Sequence, residues 1–273
     1  MARFVIVPQW QGSPSARAMQ LIDGAQAIAG DLPRTACTTI DVPLEAGEAL
    51  DTGVLRYSSI LRTRDALEDE LARTEPPVIV VGGDCGVSIA AIGAVAEREP
   101  SLAVVWFDAH PDLHTPPTSN SGAFGGMALS AVLGEGPASL ALAPGTIAPE
   151  RVILAGARDY ETDEESRVAD LDIVAIDSAD LAEPGAIAEA VAATGAAGVY
   201  IHVDLDVLDP AVLTGVTAAV PFGLTVAQLV AAIGAIRATT PLLGATIAGF
   251  APPTPAAAVD DLGAILRVVG ALA

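Results

Sequence analysis

Residues 198–210 read Gly198-Val-Tyr-Ile-His-Val-Asp-Leu-Asp-Val-Leu-Asp-Pro210. The first half of this run is mostly apolar, which is typical of a parallel strand covered on both faces, and carboxylates follow at once. Comparable apolar runs alternate with helix-length amphipathic stretches along the chain, so we predict an α/β protein with a parallel sheet. The predicted strands lie at residues 4–7, 35–40, 77–81, 102–107, 151–155, 172–176, 198–203 and 242–250.

The predicted helices lie between these strands, at residues 15–30, 58–73, 87–98, 185–194, 225–237 and 257–272. Eight strands in a βα succession are compatible with either a doubly wound sheet or a (β/α)₈ barrel. Two long loops, residues 116–126 and 210–223, are rich in Gly, Pro, Ser and Thr, and we expect them at the active site. No linker-like stretch interrupts the pattern, so we predict one domain over residues 1–273.

The composition excludes several classes of protein. The chain has 273 residues, of which 52% are apolar, enough to bury a large core. Thirteen basic residues, all Arg, face 34 acidic ones, and the net charge of −21 argues against binding nucleic acid or an anionic membrane. The absence of Lys excludes a pyridoxal-type Schiff base and a Lys-bearing phosphate loop. The expected partner is a small-molecule substrate.

The location expected from the sequence is the cytoplasm. The two cysteines, Cys37 and Cys85, make no disulfide framework. The first eight residues include Arg3 and are typical of a short strand rather than a signal peptide. The longest charge-free run, residues 211–236, contains Gly, Pro and three Thr, so we predict no transmembrane segment.

Side chains that can bind metal follow three of the predicted strands. They lie in the segments Gly82-Gly-Asp-Cys85, Asp108-Ala-His-Pro-Asp-Leu-His114 and His202-Val-Asp-Leu-Asp206, which hold all three histidines. If strand pairing continues through each segment, alternation points Asp108 and His110 the same way, and likewise His202, Asp204 and Asp206. Carboxylates this close repel one another unless cations hold them together. The donor set predicts divalent ions such as Mn²⁺, and bridging aspartates suit two ions about 3.5–4 Å apart.

These three segments, read as Gly-Gly-Asp-Cys-x-x-Ser, Asp-Ala-His-x-Asp and Asp-x-Asp-x-x-Asp-Pro, resemble the signature motifs of the arginase/agmatinase (ureohydrolase) family. Their order and spacing match from residue 82 to about residue 225. The resemblance implies a three-layer α/β/α sandwich with an eight-stranded parallel sheet, which excludes the barrel. It also implies a hydrolase with two Mn²⁺ ions that cleaves a C–N bond of a guanidino compound, assembled as a homo-oligomer, a trimer or a hexamer.

The resemblance also implies a role for each residue of the motifs. Asp108 and Asp204 are expected to bridge the two ions. Cys85 and Asp112 would hold one ion, and the other would be held by the pair His110 and Asp206. Asp112 would in addition be catalytic, by moving a proton from the attacking water to the leaving amine.

Residues flanking the motifs have roles for which alternatives stay open. His114 is expected to contact the substrate and to act in catalysis as a proton donor, with a spare metal ligand or loop packing as alternatives. Ser121 and Glu161 occupy positions that contact the amino-acid end of the substrate, although Glu161 also begins a charge run, residues 161–165, typical of a solvated face. His202 is expected to support one of the two carboxylates that follow it.

The chain departs from the family pattern at three positions. Cys85 replaces a metal-binding His, Gly125 replaces a proton-shuttling His, and Gly249 replaces the Glu that pairs with the guanidinium. Cys85 is either a thiolate ligand, which would favour Zn²⁺ or Fe²⁺ more than a His does, or a small buried hydrophobe. The Cys and the Gly-Gly-Met sequence resemble family members that hydrolyse Nω-hydroxy-L-arginine, so we predict that substrate rather than arginine. The alternatives are a formimino or other amidine hydrolase, and a catalytically lost member that serves as a binding or structural protein.

Overall fold

The computed structural model describes residues 2–273 and contains one sheet of eight parallel strands. The order of the strands across the sheet is β2-β1-β3-β8-β7-β4-β5-β6. The sheet is open, with β2 and β6 at its edges, so the predicted sandwich is confirmed and a barrel is excluded. The strands are β1 (Arg3–Ile6), β2 (Cys37–Thr39), β3 (Val78–Val81), β4 (Leu102–Phe107), β5 (Val152–Ala155), β6 (Val174–Ile176), β7 (Gly198–Asp204) and β8 (Leu242–Ala248).

Helices cover both faces of the sheet. Those of the first layer contact one another in the order α1, α8, α7, α6, whereas α2, α3 and α4 form the second layer together with α5. None of the helices in residues 2–273 is long and apolar enough to cross a membrane. The helices are α1 (Gln20–Gly30), α2 (Tyr57–Leu71), α3 (Ser88–Ala96), α4 (Ala128–Val132), α5 (Thr162–Asp170), α6 (Pro184–Ala193), α7 (Val226–Thr239) and α8 (Ala258–Leu272).

Two hydrophobic cores hold the three layers together, one on each face of the sheet. Successive side chains of a strand point to opposite faces, so Ile79 and Val81 enter one core and Val80 enters the other. The central strands β4 and β7 are buried along their whole length. Burial of each large aliphatic side chain contributes roughly 1.5–3 kcal/mol, which explains why β4 is apolar throughout and β7 is mostly apolar apart from His202 and its last residue, Asp204.

Two helices, α4 and α5, escaped the sequence analysis. The first turn of α5 carries Asp163, Glu164 and Glu165, whose charges favour a helix N-terminus. Oε2 of Glu164 accepts the N–H of Glu161 there, which is one of the two hydrogen bonds of a capping box. Residues 161–165, which the sequence analysis describes as typical of a solvated face, are therefore the start of a helix. The sequence pattern does not show this helix, because α5 has too few apolar residues to give a period of 3.6. Conversely, α1 begins at Gln20 rather than at residue 15.

Candidate metal centre

The carboxyl ends of four adjacent strands, β3, β8, β7 and β4, surround a cavity of about 300 Å³. Parallel sheets commonly bind their ligands at this edge, where loops from neighbouring strands meet. The cavity is lined by all nine residues that the sequence predicts as metal-binding, catalytic or substrate-binding, namely Cys85, Asp108, His110, Asp112, His114, Ser121, Glu161, Asp204 and Asp206.

One group of possible ligands consists of Asp108, His110 and Asp206. Nδ1 of His110 lies 3.3 Å from Oδ1 of Asp108 and 3.1 Å from Oδ2 of Asp206. The backbone N–H of His110 also donates to Oδ1 of Asp108 at 2.7 Å. One atom from each of the three side chains falls within 4.8 Å of the others, so they can share one ion.

Tight turns, not strand alternation, bring this group together. Strand β4 ends at Phe107 and β7 ends at Asp204, so the expectation that pairing continues to His110 and Asp206 is wrong. A short 3₁₀ turn follows β7 instead, and Oδ1 of Asp204 accepts the N–H of Asp206 at its start. The N–H of Ala109 then donates to Oδ1 of Asp206 and ties the two turns together.

Cys85 faces the carboxylates across the cavity floor. Its Sγ lies 3.1 Å from Oδ2 of Asp204 and 3.7 Å from Oδ2 of Asp108. The preceding Gly83 has φ +62, and a Cβ there would lie 2.8 Å from the carbonyl oxygen of Gln9, so only glycine fits this close approach. The thiol is buried, and it contacts two carboxylates as well as the apolar side chains of one core.

Asp112 is held in an unfavourable state. Its φ is +53, a region that residues other than glycine seldom adopt, and its Oδ2 is buried without a hydrogen-bond partner. Burial first, and then the charge of Asp108, raises the pKa of Asp112 well above its usual range. A strained backbone and an orphaned carboxylate oxygen are both expected where a side chain is positioned for a ligand.

The electrostatics of the cluster favour an added cation. Burial and then repulsion between the carboxylates raise the pKa values of Asp204 and Asp206. Burial lowers the pKa of His110, but its hydrogen bonds to Asp108 and Asp206 and their charges outweigh this and raise it to about 12. The raised pKa values mean that the cluster binds protons, whose positive charge reduces the repulsion between its carboxylates. Bound divalent ions would supply that positive charge instead. Carboxylates, an imidazole and a thiol therefore fit divalent metal ions at this position.

His114, Glu161 and Ser121 lie towards the mouth of the cavity. Nε2 of His114 is 3.3 Å from Oε1 of Glu161 and 3.8 Å from Oε2 of Glu164, and its Nδ1 is 3.3 Å from Oγ1 of Thr118. The Glu161 side chain is 61% exposed, so it is both solvated and within reach of the cavity. The sequence analysis missed Glu164, which lines the cavity from the unpredicted helix α5.

His202 does not support Asp204 or Asp206, and that expectation is wrong. Its ring is fully buried, stacks on Trp106 with centroids 3.6 Å apart, and places Nδ1 2.8 Å from Oγ of Ser88. Its Nε2 has no hydrogen-bond partner, and Oδ2 of Asp108 lies 3.8 Å away. Two features of the sequence could have indicated that the His202 side chain lies beside the candidate ligands. His202 precedes Asp204 by two residues, which places both side chains on one face of β7, and Cys85 stands nearby in place of the family's His.

The structure leaves little room for a side chain at either of the two glycines, Gly249 and Gly125, that replace family residues. Gly249 has φ +85, and a Cβ there would lie 2.2 Å from Oδ1 of Asp204. A side chain at position 249 therefore cannot coexist with the present position of Asp204. A Cβ at Gly125 would lie 3.2 Å from the carbonyl oxygen of Gly12, which receives the Gly125 N–H.

Arg158 and Asp209 hold the loop 210–223 in place, whereas Asp159 lines the cavity with its Oδ2 3.7 Å from Nε2 of His110. The Arg158 guanidinium donates to the carbonyl oxygens of Gly156, Asp206 and two residues of the loop 210–223. Asp209 accepts the N–H groups of Ala211 and Gly223, and so orders the same loop.

Taken together, a doubly wound parallel sheet and a cluster of carboxylate, imidazole and thiol groups at its carboxyl edge define an α/β protein with a candidate divalent-metal centre. The chain belongs to the arginase family, whose model matches residues 15–266. The family resemblance of the three motifs is thereby confirmed.

Individual relatives agree with this assignment. The chain is 31% identical over 195 residues to an arginase of Staphylococcus aureus, a match that spans 67% of this chain and 64% of the relative, less than two thirds of its length. It is 30% identical over 210 residues to the N(omega)-hydroxy-L-arginine amidinohydrolase of Streptomyces lavendulae, covering 76% of this chain and 72% of the relative. The structure of Entamoeba histolytica arginase in complex with L-ornithine superimposes with a TM-score of 0.87 at 21% identity, over 99% and 97% of the two chains, and this shows the shared fold.

Proposed function

We propose that this protein is a binuclear-metal hydrolase that cleaves a C–N bond of a small guanidino or amidino compound. The observation that carries the proposal is the convergence of Cys85, Asp112 and the Asp108–His110–Asp206 group in one cavity of an arginase-family fold. The relatives include hydrolases named for arginine and for its Nω-hydroxy derivative, which supports the substrate class.

The position of Asp108 supports two metal sites. Its Oδ1 lies beside His110, whereas its Oδ2 lies 3.7 Å from the Cys85 thiol, so one carboxylate faces both ligand groups. Asp204 is placed likewise, because its Oδ2 is 3.1 Å from Sγ of Cys85 and its Oδ1 holds the turn that carries Asp206. Asp108 and Asp204 would bridge the ions, Cys85 and Asp112 would hold one, and the other would be held by His110 and Asp206.

The proposed ions are Mn²⁺, and the thiol at one site also suits softer ions. When bound, such ions supply Lewis-acid activation of water and polarise the substrate carbon. The chain's own contribution to proton movement would come from Asp112. Its Oδ2 has no other partner and burial raises its pKa, so it holds a proton more strongly than an exposed carboxylate and could take one from water and return it to the leaving amine.

The mouth of the cavity would bind the rest of the substrate. His114 is held between Thr118 and Glu161, which orients its ring for contact with the substrate or for donating a proton to the leaving group. Ser121, whose Oγ accepts the N–H of Ala123, and the exposed carboxylate of Glu161 would contact the amino-acid end.

We further propose that the substrate is Nω-hydroxy-L-arginine rather than arginine. The Gly249 backbone leaves no room for a carboxylate to pair with a guanidinium, which keeps its proton up to a pKa of about 12–13. A hydroxyguanidine is less basic, so it loses less on entering the site without such a partner. We expect kcat/KM for Nω-hydroxy-L-arginine to exceed that for arginine by at least about tenfold, on the order of 1.4 kcal/mol.

A screen of guanidino, hydroxyguanidino and formimino compounds on Mn²⁺-loaded protein tests this assignment. Release of hydroxyurea from Nω-hydroxy-L-arginine, faster than release of urea from arginine, is the expected result. Equal or faster hydrolysis of arginine contradicts the assignment of Nω-hydroxy-L-arginine as the substrate, but it agrees with the assignment of the protein as a C–N hydrolase. Release of formamide from formimino compounds, with no reaction of the guanidino compounds, favours the other amidine hydrolase. Metal binding without any product indicates a member that has lost catalysis.

A further inference from the structure

His202 is a buried imidazole whose outer nitrogen points at the metal centre without a protein partner. It lies on the fully buried strand β7, and its relative exposure is 0%. The stack on Trp106 and the 2.8 Å contact of Nδ1 with Oγ of Ser88 fix the ring in one orientation. The Nε2 atom is then left unpaired, because Oδ2 of Asp108, at 3.8 Å, is beyond hydrogen-bond distance. A buried unpaired nitrogen is costly and calls for an explanation.

The surroundings of Nε2 have the dimensions of a metal site. Ligand atoms of His202, Cys85 and Asp108 all fall within 4.8 Å of one another. Two ligand atoms that each bond one ion at about 2.1–2.3 Å lie roughly 3.0–4.6 Å apart, depending on the angle between the bonds. The two distances to Oδ2 of Asp108, 3.7 Å from Sγ and 3.8 Å from Nε2, fall in this range.

We propose that Nε2 of His202 is a ligand of the ion held by Cys85 and Asp108. This rests on the proposed function only in that divalent ions bind the cavity. The imidazole missing at position 85, which follows β3, is thus supplied from strand β7 on the far side of β8. With Nε2 bound to the ion, the proton would be on Nδ1 and would be donated to Oγ of Ser88, in the way that metal-binding histidines are usually fixed by a second hydrogen bond. Because it adds a thiolate to its imidazole and carboxylates, this ion position would prefer Zn²⁺, Co²⁺ or Fe²⁺ more than the neighbouring position, which has no thiolate.

Spectroscopy of the Co²⁺-loaded protein tests the assignment without any activity measurement. We expect a thiolate-to-cobalt charge-transfer band, and one imidazole on the thiolate-bound ion, counted by X-ray absorption in the unmodified protein. The matched variants His202→Asn and His202→Gln separate a ligand from a packing residue. Asn retains a polar atom near Ser88 but nothing at Nε2, whereas Gln places an amide oxygen near the Nε2 position.

Removal of a residue that only hydrogen-bonds a metal ligand typically lowers metal affinity by roughly 10–100-fold. His202→Asn is expected to lower the affinity for the thiolate-bound ion by more than this, and His202→Gln is expected to recover part of the lost affinity. Ser88→Ala should stay within that 10–100-fold range, and His110→Asn should lose the other ion while keeping the thiolate band. No imidazole on the thiolate-bound ion of the unmodified protein overturns the proposal, even if His202→Asn does not fold. Unchanged affinity in a folded His202→Asn overturns it as well. Fully loaded protein that hydrolyses no guanidino or amidino compound refutes the proposed function and leaves this ligand assignment standing.

Discussion

Replacement of Asp108 by Asn should abolish stabilisation by both metal ions. One oxygen of Asp108 faces His110 at 3.3 Å and the other faces Sγ of Cys85 at 3.7 Å, so a single substitution removes an anionic ligand from each position. An ion present at 100 times its dissociation constant stabilises the folded state by about 2.7 kcal/mol, and two ions therefore by about 5.4 kcal/mol. At roughly 2–4 °C per kcal/mol, saturating Mn²⁺ should raise the Tm of the unmodified protein by about 10–20 °C.

Thermal melts of chelator-treated protein, with and without Mn²⁺, measure this difference. Asp108→Asn should melt at nearly the same temperature under both conditions. The matched control is Asp209→Asn, since Asp209 orders a loop and is separate from the ligand cluster. It should keep most of the metal-dependent shift. A shift in Asp108→Asn as large as that of the unmodified protein, or equal losses in both variants, would refute the reasoning.

Three further predictions concern the same cluster. Gly249→Glu should lower the number of Mn²⁺ ions bound per chain and should not produce arginase activity. The reason is that a Cβ at position 249 would lie 2.2 Å from Oδ1 of Asp204 and would displace this proposed ligand. A gain of arginine hydrolysis with full metal content would contradict this prediction. Cys85→Ser should lower the affinity for Zn²⁺ more than that for Mn²⁺, since a hydroxyl is a harder ligand than a thiolate; an unchanged ratio in competition titrations would show that the thiol is not at the metal. The pKa values of Asp112, Asp204 and Asp206 are raised in the folded state, so the stability they contribute is present below their unfolded pKa of about 3.9 and is lost as the pH rises towards the folded values. His110, with its pKa raised to about 12, loses stability in the same direction above its unfolded pKa of about 6.5, so the Tm of the metal-free protein should fall between pH 5 and 8. Saturating Mn²⁺ should remove this fall. A metal-free Tm that rises over this range would contradict the assignment.

The parallel sheet could be predicted because its signal is local. Strand β4 was predicted with its observed bounds, since six consecutive buried apolar residues leave little ambiguity. The helix α5 could not be predicted, because its stability comes from caps and charges at its first turn rather than from an apolar stripe.

Candidate site residues were predicted from motifs, but their geometry was not. Asp206 reaches His110 through a 3₁₀ turn whose formation depends on hydrogen bonds to Asp204 and Ala109, and strand alternation cannot show this. The environment of His202 depends on the register of β7 against β4, which pairs it with Trp106. Such cross-strand neighbours are a property of the assembled sheet and cannot be read from one strand.

The most direct test of a binuclear-metal hydrolase is turnover of Nω-hydroxy-L-arginine measured against equivalents of Mn²⁺ added to chelator-treated protein. We predict no product without metal, and a rate that rises until two ions are bound per chain and then stays constant. Product formation that is insensitive to chelation, or none at full metal occupancy, would contradict the account.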